Sequence, residues 1–204
     1  METQRIFFAL PLPRTMREQL ASMRDRAVAQ LGAQVLRPIK TENFHITLQF
    51  LGGRPQGEVD RARETLRELD GHFPSAPAVS IGPPSAFPKR NAARVIWASA
   101  DDEGERASEI HAILGEALTQ RAFEPDTRPF HPHVTLAYVR KGAGRVAQKK
   151  IQRWLNSAGS VEISRAGKES GAEATELNRI VLYRSETGPG GSTYTELEGV
   201  ELPL

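Results

Sequence analysis

The sequence predicts a mixed α and β fold built as two similar lobes of one domain. Three observations point there. Short apolar strings rich in aromatic and β-branched residues alternate with amphipathic stretches along the 204 residues. Landmarks recur at nearly one offset: the string RIFFAL at Arg5 resembles RVIWAS at Arg94, His45 and His133 stand 88 positions apart, and so do Gly71 and Gly159. A chain of this length suits one domain or two small lobes sharing a cleft. Two copies are too few for a solenoid. The repeats, about 5–88 and 94–184, are therefore expected to pair about a pseudo-two-fold axis within a single domain, 1–204.

The elements follow in order. RIFFAL reads as a strand closed by Pro11 and Pro13. A helix over 14–31 places Leu20, Met23, Val28 and Leu31 on one face. His45–Leu51 is a strand closed by Gly52 and Gly53, and a helix over 57–70 stops near Gly71. Strands are expected at Val79–Ile81 and Arg94–Ala98. A helix over 103–121 follows, with Ile110, Leu114 and Leu118 four apart. His133–Val139 is a strand and Val146–Leu155 a helix, with Gly159 at its end. Val161–Ser164, Arg179–Arg184 and Thr193–Leu197 complete the strands, and the segments around 167–175 and 186–192 read as mobile loops.

Composition excludes several classes. The chain has no cysteine, which removes disulfides, thiolate metal sites and a cysteine nucleophile. A hydrophobic fraction of 39% with 25% charged residues fits a chain able to bury a core. No apolar run approaches the ~20 residues needed to span a bilayer. RIFFALPLP lacks the cationic lead and cleavage site of a signal peptide, so no membrane partner and a cytoplasmic location are expected. The net charge of +2 is too small to identify a partner, but six bases and no acid lie between Arg140 and Arg153. There is no GxxxxGK[ST], no GxGxxG after a strand and no GxSxG.

Two of the five histidines share one local setting, His45-Ile46-Thr47-Leu48 and His133-Val134-Thr135-Leu136. Alternation along a strand sends Ile46, Leu48 and Phe50 to one face and His45, Thr47 and Gln49 to the other. Likewise Val134, Leu136 and Tyr138 face one way, His133 and Thr135 the other. Each strand would anchor through its apolar face and present an imidazole and a hydroxyl to a cleft between the lobes. Two imidazoles can divide proton transfer, one taking a proton from water and the other giving one to a leaving oxygen. Thr47 and Thr135 can donate to an anionic oxygen. His131-Pro132-His133 could instead begin a metal site with Asp126, but its ligand count and spacing are poor. His72 and His111 read as structural or exposed.

At these residues the chain resembles the two-histidine phosphoesterases, and within them the RNA 2′,3′-cyclic phosphodiesterases, also called 2′–5′ RNA ligases. ENFHITLQFLG, PFHPHVTLA and the RIFFALPLP opening carry the likeness, which spans Arg5 to about Arg184. The resemblance implies a bilobal α+β fold with an antiparallel sheet and flanking helices in each lobe, and a catalytic cleft between them. It implies hydrolysis of a terminal 2′,3′-cyclic phosphate to a 2′-phosphate without metal or other cofactor. Some members also join RNA ends through a 2′–5′ linkage. His45 would be the general acid on the leaving 3′ oxygen and His133 the general base on water, with Thr47 and Thr135 on the phosphate oxygens. The implied partners are RNA with 2′,3′-cyclic phosphate or 2′-phosphate ends, such as tRNA fragments, or small cyclic nucleotides, bound by a monomer.

The chain departs from the family in one place. The family often reads TLAR after the second histidine, and here Tyr138 stands where that arginine would be. Arg140 or Arg128 could supply the charge, and with Tyr138 and Lys141 these are the candidate RNA contacts. Tyr138 could stack on a base, although core packing is the simpler reading. The basic stretch from Arg140 could guide RNA toward the cleft. The missing arginine also supports a competing reading, a non-catalytic RNA-binding module of the same fold.

Overall fold

The computed structural model describes residues 2–126, 128–166, 174–189 and 191–204. In chain order the elements are β1 (Gln4–Pro11), α1 (Arg14–Leu31), β2 (Leu36–Pro38), a single 3-10 turn (Thr41–Asn43), β3 (His45–Arg54), α2 (Gln56–Glu68), β4 (Ala78–Phe87), β5 (Val95–Glu103), α3 (Arg106–Gln120), β6 (His133–Val139), α4 (Arg145–Ala166), β7 (Thr175–Glu176), β8 (Arg179–Gly188) and β9 (Gly191–Glu201).

The described strands form one antiparallel sheet in the order β7-β4-β5-β6-β3-β1-β8-β9, with β2 alongside β6. The two halves of the chain thus share a curled sheet. They meet at the two motif strands, where the single pair Ile46↔Val134 joins β3 to β6. Beyond that pair the strands part: β6 pairs with β2 through Leu36↔Val139, Arg37↔Tyr138 and Pro38↔Ala137. The gap between the diverging strands is the cleft.

The apolar faces of the strands pack under the helices in one core. Phe8, Leu10, Ile46, Ile96, Val134 and Leu136 are fully buried with Leu20, Leu66, Ile110, Leu114 and Leu118 from the helices. Each such side chain contributes about 1.5–3 kcal/mol by leaving water. Helix α1 ends where expected because Gly32, at φ +93°, takes a backbone turn that an L side chain resists, while its N–H closes on Val28 O at 2.8 Å. Asp102 receives the Ala107 N–H at 2.8 Å and so starts α3.

Several expectations change. Val161–Ser164 is helical, part of a 22-residue α4, and Gly159 lies within that helix instead of ending it. Four residues in which only Val161 and Ile163 are apolar are too few to distinguish a strand from a helix turn. Residues 186–188 and 191–192 belong to the long β8–β9 hairpin, with Glu186↔Thr193, Thr187↔Ser192 and Gly188↔Gly191 paired. Most of the other expected loop, 167–173, lies outside the described residues. The strings RIFFAL and RVIWAS align at 89 positions, but the ladders correspond at 88. Phe7↔Phe50 matches Val95↔Tyr138, Phe8↔Gln49 matches Ile96↔Ala137, and Ala9↔Thr47 matches Trp97↔Thr135.

That correspondence includes an irregularity the alternation rule missed. Thr47 and Gln49 pair with the consecutive residues Ala9 and Phe8, leaving Leu48 as an extra residue in β3. Thr135 and Ala137 pair with the consecutive Trp97 and Ile96, leaving Leu136 extra in β6. These are β-bulges, and each shifts the faces by one residue. Leu48 and Gln49 are both buried, as are Leu136 and Ala137. Phe50 and Tyr138 therefore turn onto the histidine face, opposite to the assignment from simple alternation.

Candidate active site

Val134 faces Ile46 across the junction of the halves. Continuing that register one residue each way sets His45 beside Thr135 and Thr47 beside His133, all four on the face away from the core. The result is a square of two imidazoles and two hydroxyls. Its histidines lie on a diagonal, close enough that charge on His133 depresses His45.

Each ring is held in the same way. His45 Nδ1 lies 2.7 Å from the carbonyl oxygen of Asn43, and His133 Nδ1 lies 2.7 Å from that of His131. A carbonyl only accepts, so Nδ1 carries the proton in both and Nε2 is the free base. The hydroxyl of Thr47 is 3.0 Å from His45 Nε2, placed to donate to it. Aromatic rings hem in both imidazoles. Phe7 and Tyr194 pack on His45 at 4.9 and 5.3 Å between centroids, and Phe87 and Trp97 pack on His133 at 5.2 and 5.5 Å.

This packing sets the electrostatics. Burial drives the His45 imidazole down to about 4 from its ordinary 6.5, and charge on His133 adds to the depression, while the Asn43 carbonyl opposes it. Burial also lowers His133, against the pull of the His131 carbonyl, with His131 adding a smaller depression. The cleft therefore holds two neutral imidazoles at neutral pH.

Two cavities meet at the square. One, of about 430 Å³, is lined by His45, Thr47 and Thr135 together with Arg5 and Arg37. The other, of about 870 Å³, is lined by Thr47 and His133 together with Arg94 and Arg128. Phe50 and Tyr138 line both. Of the sequence-derived candidates, the fold thus brings His45, Thr47, His133, Thr135, Tyr138 and Arg128 to one cleft. Arg128 is paired with Asp126, which its guanidinium holds down to about 2, so much of its charge is already answered. Arg140 and Lys141 line neither cavity. The Arg140 side chain instead donates to Ala33 O at 2.9 Å, fastening the turn after α1.

Some cleft residues carried no sequence signal of their own. Arg5, Arg37 and Arg94 arrive from β1, β2 and the residue just before β5. Asn43 fixes His45 through its carbonyl, and its side chain donates to Ser192 O at 2.7 Å on the β8–β9 hairpin. His111, expected to be structural or exposed, lies in the wall of the His133 cavity. Its Nε2 accepts from the buried Gln49 amide at 3.0 Å, and Gln49 Oε1 accepts the Asp126 N–H at 3.3 Å. Simple alternation sets Gln49 on the histidine face and so hides this bridge. Among the described residues no group of three or more His, Asp or Glu side chains is placed to hold a metal ion, His131 and His133 included.

The sequence profile of the 2′-5′ RNA ligase superfamily matches residues 13–186. The chain belongs to that superfamily. It is 32% identical over 151 residues to an RNA 2′,3′-cyclic phosphodiesterase of Aeropyrum pernix, covering 72% of this chain and 81% of that protein. It is 27% identical over 195 residues to the protein of the same name from Methanothermobacter thermautotrophicus, covering 95% and 96%. A crystal structure from Thermus thermophilus superposes with a TM-score of 0.67 at 25% identity, covering 97% of each chain. Escherichia coli LigT shares the fold, with a TM-score of 0.67 at 21% identity over the whole of both chains. The α+β architecture of these structures is thus the architecture of this chain, with the two halves closed into one sheet. No described helix is long and apolar enough to cross a membrane.

Proposed function

We propose that this protein hydrolyses RNA terminal 2′,3′-cyclic phosphates to 2′-phosphates, with His45 and His133 as its acid–base pair. The observation that carries the reading is the square formed across Ile46↔Val134, which gathers both HxT pairs around one space. Relatives named RNA 2′,3′-cyclic phosphodiesterase support the substrate class. E. coli LigT, which shares the fold, was crystallised with phosphate and with 3′-AMP.

In this reading the phosphorus sits between the two rings. His133 Nε2 takes a proton from water as its oxygen bonds to phosphorus. The P–O3′ bond breaks, and His45 Nε2 gives a proton to O3′, leaving a 2′-phosphate and a 3′-hydroxyl. Thr47 and Thr135 donate to the non-bridging oxygens as their charge grows. The acid must be protonated at the start, and burial works against that. An anionic phosphate between the rings raises both, so the substrate itself brings the pair into its working state. Run in the same direction with a 5′-hydroxyl in place of water, the same groups would form a 2′–5′ linkage and free the 3′-hydroxyl. Arg5, Arg37 and Arg94 supply the positive lining for RNA ends or small cyclic nucleotides.

The test is turnover of a nucleoside 2′,3′-cyclic phosphate with chelator present, with the product isomer identified. Formation of a 2′-phosphate is expected. Binding of RNA ends without turnover would favour the non-catalytic module instead.

A further inference from the structure

The two bulges do more than tighten the sheet. Each turns an aromatic ring onto the histidine face three residues after its threonine, Phe50 after Thr47 and Tyr138 after Thr135. Because β3 and β6 run antiparallel, these rings lie at opposite ends of the square. Each is about 7 Å beyond its threonine, the net advance of two residues once the bulge is discounted. Both line both cavities.

Each ring carries a guanidinium. Arg5 Cζ lies 4.6 Å from the Phe50 centroid, and Arg37 Cζ lies 4.9 Å from that of Tyr138. Among the described residues neither arginine is ion-paired with a carboxylate. Phe50 is 42% exposed and Tyr138 38%, and they are the aromatic members of the large exposed hydrophobic side chains among the described residues. Burying both would have been simple, since without the bulges alternation places them in the core. The fold instead presents two flat apolar surfaces, each beside an available positive charge, on either side of a phosphate-sized space.

We propose that Phe50 with Arg5, and Tyr138 with Arg37, are two nucleobase-stacking platforms that flank the phosphorus site. The cleft would then recognise a phosphodiester bearing a nucleoside on each side, not only a terminal nucleotide. Planar bases stack on aromatic rings with little sequence preference, and the guanidinium adds to the stack and meets the neighbouring phosphate. The inference rests on the phosphodiesterase reading for the position of the phosphorus.

Calorimetric titration tests it in the His133→Ala protein, where turnover is blocked. The probes are inorganic phosphate, 2′-AMP and a 2′–5′-linked diadenosine monophosphate. Phe50→Leu and Tyr138→Leu should each weaken the dinucleotide by roughly 5- to 150-fold, the worth of one stacked base. Phosphate affinity should stay put, and 2′-AMP should lose affinity in only one of the two variants. Phe50→Tyr and Tyr138→Phe should retain dinucleotide binding. Dinucleotide affinity unchanged in both leucine variants overturns the proposal, as does a parallel loss of phosphate binding, which would indicate collapse of the site. If wild-type protein also fails to turn over a cyclic phosphate, the phosphodiesterase reading falls too. If it does turn one over, only the platforms fall.

Discussion

In the proposed reaction His45 and His133 carry the chemistry, and their surroundings predict how each will behave. Replacing either with alanine should lower kcat by several orders of magnitude. The double variant should lose little beyond the worse single, because a proton donor and acceptor act as a unit. Steady-state turnover of a cyclic phosphate checks both. Thr47→Val and Thr135→Val, each removing one donor to a charged oxygen, should cost about 10²–10³ in kcat. The pH dependence follows from the burial of the rings. Both imidazoles are depressed in the free protein, His45 to about 4, and the active form needs one proton shared between them. The profile of kcat/KM should therefore peak on the acid side of 6.5 and fall as pH rises, while the kcat profile, which reports the complex, lies at higher pH. A kcat/KM optimum above about pH 7.5 would contradict this electrostatic account. Stability follows the same sign. A histidine depressed from 6.5 to about 4 binds more protons when unfolded, so its contribution is present above 6.5 and lost as pH falls toward 4.

At the level of elements, the bulges at Leu48 and Leu136 decide what the cleft contains. They bury Gln49 and Ala137 where alternation would expose them, and expose Phe50 and Tyr138 where it would bury them. Gln49 then bridges β3 to α3 through His111 and to the segment before Arg128 through the Asp126 N–H. Removing its amide leaves two partly buried partners unanswered, each at a cost toward the low end of about 1–3 kcal/mol. Gln49→Leu should thus lower the denaturation midpoint and raise KM more than it lowers kcat, since the wall it ties carries Phe130, His131 and Arg128 and not the reacting pair. Thermal unfolding and steady-state kinetics on the same preparation separate these effects. An unchanged KM would show that the wall does not depend on Gln49.

For the whole molecule, the order of the sheet ties the halves together. The C-terminal β8 lies beside β1 with β9 beyond it, while β7, just before them, lies beside β4. A fragment ending near residue 90 would lack the strands that cover β1 and should not fold alone. The intact chain should unfold in one calorimetric transition, and two well-separated transitions would refute this. The six bases from Arg140 to Arg153 line neither cavity. In the proposed function, any pull they exert on an RNA substrate would act through the long-range field. Charge-neutral substitutions at Lys149 and Lys150 should slow association at low salt and leave kcat unchanged. We further propose that the halves arose by duplication, supported by ladders that correspond at 88 residues on both sides of the cleft.

Local order and chemistry were legible in the chain itself. The two HxT strings, their spacing, α1, α2, α3 and β6 follow from periodicity and turn residues, because those signals act over a few neighbours. The ends of α4 and the β8–β9 hairpin did not, since short polar segments rich in Gly and Ser fit several conformations until a neighbouring strand or core selects one. Which residues share the cleft was also beyond the sequence. A bulge depends on the partner strand, and the arrival of Arg5, Arg37, Asn43 and His111 depends on contacts between residues distant in the chain. Sequence alone determined that two imidazoles would be offered by matching strands. Only tertiary packing decided that those strands would touch at Ile46 and Val134, because a single cross-strand pair between distant segments is fixed by the burial of everything around it.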